Sequence, residues 1–342
     1  MLAHLNRTVV VLLALSAALS GCGGNGAVPA SHGIATLPVH PADGLARPDV
    51  TQRIYVASRN TDSVLGFAIT ADGNVAPTRI LSGPNTLLGF PIGLAFSPGG
   101  HLDVMNDSGT SVLIFPKGAH GDVAPQVLGG SNVPITGSAG IAIDASGQIY
   151  VSDFRANAIY VFKSGAVGNV APKRTITGPK TLLSSPLQMA FDSAGDLYVA
   201  NYLTSTSPIT EFAPNANGNA APIHKIGGSH THLVTVQGIV IDSAGRIVTG
   251  NFNGTSIEIF AAGAHGNVAP VVTIGGAKTL ITNLLGVGVD ASGTIYATNQ
   301  SSTPGDDAIL VFAPGAHGNA APIAAISGSN TGMNGPFAPT VH

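Results

Sequence analysis

At 342 residues the chain could hold two ordinary domains, yet internal repetition can keep such a length in one closed unit. Charged residues are only 9% of it and the formal net charge is −3, so there is no basic field for a polyanion and nucleic acid is excluded as a partner. With 45 Gly, 23 Pro and no Trp, the composition predicts many short strands joined by tight turns, an all-β class.

Residues 1–21 read as an export signal: Arg7 supplies a basic start and Thr8 to Leu19 form a twelve-residue apolar run. A bilayer-spanning helix needs roughly 20 residues, so this run is too short to cross. It ends in Leu19-Ser20-Gly21-Cys22, which resembles the lipobox of bacterial lipoproteins, and the resemblance implies lipidation at Cys22. Two or more acyl chains, at about 0.8 kcal/mol per buried methylene, suffice for durable anchoring. Gly23 stands where an Asp would resemble an inner-membrane retention signal, which points to the outer-membrane side of the envelope or the cell surface. Cys22 is the only cysteine, so no intramolecular disulfide can form and stability must come from packing. Residues 22–52, rich in Gly, Ala and Pro, read as the lipidated end and a flexible tether.

From residue 53 onward the chain repeats. The phrase Asn/Asp-Val/Ala-Ala-Pro ends at Pro77, Pro125, Pro172, Pro222, Pro270 and Pro322, in steps of 47 to 52 residues. Residues 140–178 show the unit best. Gly140 to Asp144 is a first strand, Gln148 to Ser152 a second, Ala158 to Phe162 a third, and Lys173 to Thr177 a more polar outer one. Four short strands per repeat make one propeller blade. Small residues on the first strands (Gly140, Gly238, Gly286, Gly288) suit sheets that converge on an axis. The second and third strands are apolar on both faces, as a blade between two neighbours requires.

The array opens at Arg53-Ile-Tyr-Val56, which matches a second strand, and ends in Gly335 to Val341, which matches a first. That offset predicts a six-bladed β-propeller with four antiparallel strands per blade, its ring closed by a C-terminal strand completing the N-terminal blade over residues 53–342. The unit Gly-Ile-Ala-Ile-Asp-x-x-Gly-x-Ile-Tyr-Val-x-Asp with a following Ile-x-x-Phe resembles the NHL repeat. The resemblance covers residues 53–341 and implies the blade type; relatives with such repeats include streptogramin lyases, amidating lyases, lactonases and pure binding modules.

The loops between second and third strands, and between one blade's outer strand and the next blade's first, share one face around the axis. Ser58, Asn106, Asp153, Asn201, Asn251 and Asn299 end the second strands there. They form a polar ring for a cation or hydroxyl-rich ligand, or they cap their own turns. The residues that follow include Phe154, Tyr202 and Phe252 on consecutive blades, close in sequence order to the loop Ser229-His230-Thr231-His232. Asp153, Phe154, Asn201, Tyr202, His230, His232, Asn251 and Phe252 are therefore the candidate ligand-binding set. Two histidines alone do not fill a tetrahedral metal site. His120, His265 and His317 share a Gly-Ala-His-Gly turn on the opposite part of the ring, and Asp144, Asp192, Asp242 and Asp290 open Asp-x-x-Gly turns; both sets read as structural.

The lactonase-like relatives imply an acid on an inner strand, whereas Glu211 and Glu258, the only glutamates, lie on third strands. The expectation is a lipid-anchored, monomeric, non-catalytic binding module of the cell envelope, with an unknown protein or small-molecule ligand and no cofactor. The alternative is a streptogramin-lyase-like enzyme, which would need a divalent metal and a base near His230 and His232. A purely structural envelope protein is the third reading.

Overall fold

The computed structural model describes residues 52–342 except Ser205, Ser207, Ser302 and Pro304; the signal, Cys22 and the tether lie outside the described residues. Among the described residues, six four-stranded antiparallel sheets follow one another around a ring. The third blade runs Ser138–Ile143, Ile149–Asp153, Ala158–Phe162 and Arg174–Thr177, each bound within two residues of the strands read in the sequence. In the first blade the sheet order places Pro336–Val341 beside Arg53–Ser58, with Ile54 opposite Val341 and Ser58 opposite Pro336.

Every first strand carries an irregularity in its pairing to the second, between Pro91 and Gly93 in one blade and between Leu284 and Gly286 in another. Such bulges bend and twist an innermost strand where the sheets crowd. The crowding is tight: a Cβ on Gly140 would lie 2.3 Å from the Leu187 carbonyl oxygen of the next blade. The first strands enclose an axial cavity of about 240 Å³, in which Gln188 and Thr340 are the only polar side chains of the lining among the described residues.

Side chains alternate across each sheet, so positions two apart face the same neighbouring blade. Between the second and third blades, Met105, Ile114, Ile149, Tyr160 and Phe162 form one buried cluster, the apolar seam. Between the fourth and fifth, Tyr198, Ile209, Ile226, Ile247 and Phe260 pack in the same way.

The recurrent Asn/Asp-x-Ala-Pro phrase has a partner in the connection that arrives from the preceding blade. Its first residue accepts a backbone N–H from the short 3-10 turn or loop leading into its own blade: Asp122 from Asn85 at 2.7 Å, Asn169 from Asn132 at 2.6 Å and Asn219 from Lys180 at 2.8 Å. Asn267, Asn319 and Asn74 repeat the contact with His230, Lys278 and Asn330. The preceding glycine bridges the previous blade's outermost strand, Gly121 to Leu81 and Gly73 to Ile326 among them. Each exposed sheet edge is thereby covered by the following blade, and the last of these clasps spans the chain ends.

Candidate binding face

The second strands end on side chains whose oxygens are taken up by the loops around them. Asp153 is fully buried; Oδ2 accepts the Thr136 N–H at 2.6 Å and hydroxyl at 2.9 Å, and Oδ1 accepts the Arg155 and Ala156 N–H groups at 3.0 and 2.9 Å. Asn201 accepts from the Ser184 N–H at 3.0 Å and Asn251 from Val234 at 2.9 Å. Asn106 and Asn299 do the same for Gly89 and Thr282. The polar ring therefore fixes the entry loop of each blade, the turn-capping role weighed for it. The Asp-x-x-Gly turns are Asx turns: Asp144 Oδ1 accepts the Ser146 and Gln148 N–H groups, both at 2.9 Å. His265 and His317 each place Nδ1 3.1 Å from a glycine carbonyl of their own turn, and His120 Nδ1 lies 3.2 Å from the Gly118 carbonyl and 3.0 Å from the Arg79 guanidinium, which donates to it.

Of the three consecutive aromatics, Phe154 and Phe252 are buried, and the Arg155 guanidinium lies 5.4 Å from the Phe154 ring centre. Tyr202 is half-buried, and that burial raises its hydroxyl above the ordinary tyrosine range. Leu203 and Val234, beside it in sequence and on the next blade's entry loop, are 54% and 55% exposed. Both candidate histidines are exposed. His232 takes a left-handed backbone, φ 59°, where the corresponding loops have Leu87, Leu182 and Leu280. The Asn251 side-chain amide donates to the His232 carbonyl at 2.8 Å, so these two candidates are joined; His230 is held through its own N–H by Asn267. Tyr202, His230, His232, Leu203 and Val234 are among the side chains this sector offers to solvent.

The other half of the face is charged. Arg59 lies 3.7 Å from Asp107, whose other oxygen accepts the Ser138 hydroxyl at 3.0 Å, and the guanidinium covers Phe90 at 4.9 Å. Among the described residues no three His, Cys, Asp or Glu side chains converge to hold a metal ion.

One constellation went unread in the sequence. Ile257 and Ile259 pack toward the sixth blade, so Glu258 between them points at the fourth. Ile209 packs toward the fifth blade, and Glu211 two residues on shares its face. Both glutamates of the chain thus point into one joint, the acidic seam. Glu211 meets His224 Nδ1 at 3.2 Å and the Tyr198 hydroxyl. Glu258, 1% exposed, accepts the Ser256 hydroxyl at 2.8 Å and that of Thr273; burial raises its carboxyl, and these hydroxyls offset part of the rise. The signal was present in strand alternation: Glu211 and Glu258 sit at positions of opposite parity on adjacent blades, which turns them toward each other.

The fold defines the chain as a six-bladed β-propeller. It is similar to a structure of a nidogen/laminin complex, at TM-score 0.61 and 14% identity over 85% of this chain and 98% of that one. It is also similar to a protein of unknown function from Bacteroides caccae, at TM-score 0.56 and 10% identity over 85% and 97%. Virginiamycin B lyase from Staphylococcus aureus matches at TM-score 0.51 and 12% identity over 75% and 77%. A catalytically inactive variant of that lyase, with quinupristin, matches at TM-score 0.51 and 11% identity over 84% and 87%. No family model and no curated protein sequence matches the chain. Identities this low define the fold alone.

Proposed function

We propose that this protein is a lipid-anchored propeller of the cell envelope that binds its ligand on the sector formed by the fourth and fifth blades and does not transform it. The observation that carries this reading is the state of the polar ring. Asp153, Asn201 and Asn251 are buried and engaged by loop amides, so none is poised as a base, while Tyr202, His230, His232 and two exposed aliphatics are among the groups that face solvent. An aromatic ring with a hydroxyl, beside imidazoles and apolar carbons, recognises a ligand of mixed polarity. Anchoring rests on the resemblance of Leu19 to Cys22 to a lipobox; mass spectrometry of the membrane fraction should find the mature N-terminus acylated at Cys22, and Cys22→Ser should release the protein.

The lyase reading rests on the virginiamycin B lyase fold and on the two loop histidines. Incubating the purified protein with quinupristin and a divalent metal separates the two. Unchanged antibiotic, with binding weakened at least tenfold by Tyr202→Ala and His232→Ala together, supports the binding module. Metal-dependent cleavage lost in His232→Ala overturns it.

A further inference from the structure

The outer edge of the fourth blade carries a groove of about 380 Å³, walled in part by Lys180, Leu182, Ile223, His224, Lys225 and His265. It shares no residue with the site just described, although Lys180 and Leu182 stand on the fourth blade's entry loop as His230 and His232 stand on the fifth's. Lys180 leaves from a fixed point, because its N–H is clasped by Asn219 at 2.8 Å. Lys225 is set by the outermost strand His224–Ile226, and its carbonyl accepts the Gly266 N–H of the next blade at 2.6 Å. His224 and His265, both in the wall of the groove, stack at 4.8 Å between ring centres.

Four basic side chains line this concavity and no acidic one does. The carboxyls that act on His224 are Glu211, buried in the seam against it, and Asp196, half-buried on the turn between the blade's first two strands. Neither lysine ammonium has a hydrogen-bond or ion-pair partner among the described residues. In a chain with 14 Lys and Arg in all, such a cluster is a departure. The equivalent pairs on the other blades, counting from the clasp and the bridging strand residue, are Asn330 and Ile80, Asn85 and Val127, Asn132 and Thr175, His230 and Thr273, and Lys278 and Ala325. Only the fourth blade supplies two lysines. Leu182 and Ile223, 41% and 46% exposed, give the groove an apolar floor beside that charge.

We infer that this groove is a second binding site, for an organic anion whose charged head meets Lys180 and Lys225 while its apolar body lies on Leu182 and Ile223. Its size falls within the range of sites that hold small ligands. Titration calorimetry of the purified protein with octyl phosphate, inorganic phosphate and octanol tests the inference. Saturable binding of octyl phosphate is expected, at least tenfold tighter than either single-feature probe. Lys180→Ala with Lys225→Ala should weaken it at least tenfold, Leu182→Ser several-fold, and Lys225→Arg should restore most of the loss at that position. All these side chains are on the surface, and circular dichroism of each variant checks the fold. Octyl phosphate binding that is absent, indifferent to the lysine substitutions, or matched by inorganic phosphate alone overturns the site as an amphiphile groove.

Discussion

The apolar seam and the acidic seam are the same joint built twice, and each buries carboxyl groups under different terms. In the apolar seam, Asp103 occupies the second-strand position where four other blades have Tyr55, Tyr150, Tyr198 and Tyr296. It is 3% exposed, Oδ1 has no partner, and burial pushes the carboxyl up to about 7. In the acidic seam, Glu211 has an imidazole and a phenol within reach, and Glu258 has two hydroxyls. The difference teaches that a sheet-to-sheet joint tolerates a buried acid either by protonating it or by surrounding it with donors; the first route leaves a pH dependence and the second reduces it.

The broadest test asks whether both seams rest on the same apolar ring. Phe162→Ala and Phe260→Ala each remove a fully buried ring and should each cost about 3–5 kcal/mol in urea unfolding. A loss at Phe260 far smaller than at Phe162 would show that polar contacts hold the acidic seam instead.

Asp103 gives the next largest effect, and its sign follows from its raised pKa. The folded protein prefers the protonated acid, so the contribution is intact below pH 4 and is lost as pH rises through about 7. Stability should therefore fall by about 3–4 kcal/mol between pH 4 and pH 8 on this account, and Asp103→Leu should remove most of that slope. An unchanged slope in the variant would break the contrast between the seams.

Glu258→Gln sharpens it further, because the amide removes the charge and still meets both hydroxyls, accepting from one and donating to the other. The variant should gain about 1 kcal/mol at pH 8 and nothing at pH 4, read from the same unfolding curves. A loss at pH 8 would mean that the ionised form is stabilised by His232 or another neighbour. The smallest effect belongs to the clasps: Asn219→Ala should cost about 0.5–1.5 kcal/mol, with hydrogen exchange accelerating at Lys180 and along residues 174–177 before any global change.

Strands, blade number and the offset between chain ends were legible in the sequence because each depends on local alternation and on a period that recurs. Ala158–Phe162 was placed to the residue, since its apolar run is bounded by turns on both sides. The Asn-x-Ala-Pro phrase was visible as a period marker, but its role was not, because its hydrogen-bond donor lies some 37 to 41 positions earlier or, at the ring's junction, 256 away. The candidate site was legible only as a set of positions. Sequence placed Phe154 and Phe252 beside Tyr202, and only the fold turns the two phenylalanines inward. The lysine groove needs one residue from an entry loop and one from an outer strand 45 positions on, a juxtaposition no local pattern announces.

The junction of the first blade brings Arg53 and His342 into mutual backbone hydrogen bonds, N–H to carbonyl in both directions at 2.9 and 3.0 Å. The polypeptide is thus a nearly seamless loop of which the break is only one of several equivalent places. A circularly permuted version, joined by a few residues between positions 342 and 53 and reopened in the Ser146-Gly147 turn, should keep the same architecture. Shaving residues 336–342, by contrast, would strip the innermost strand from one sheet and unfasten the whole circle from the inside.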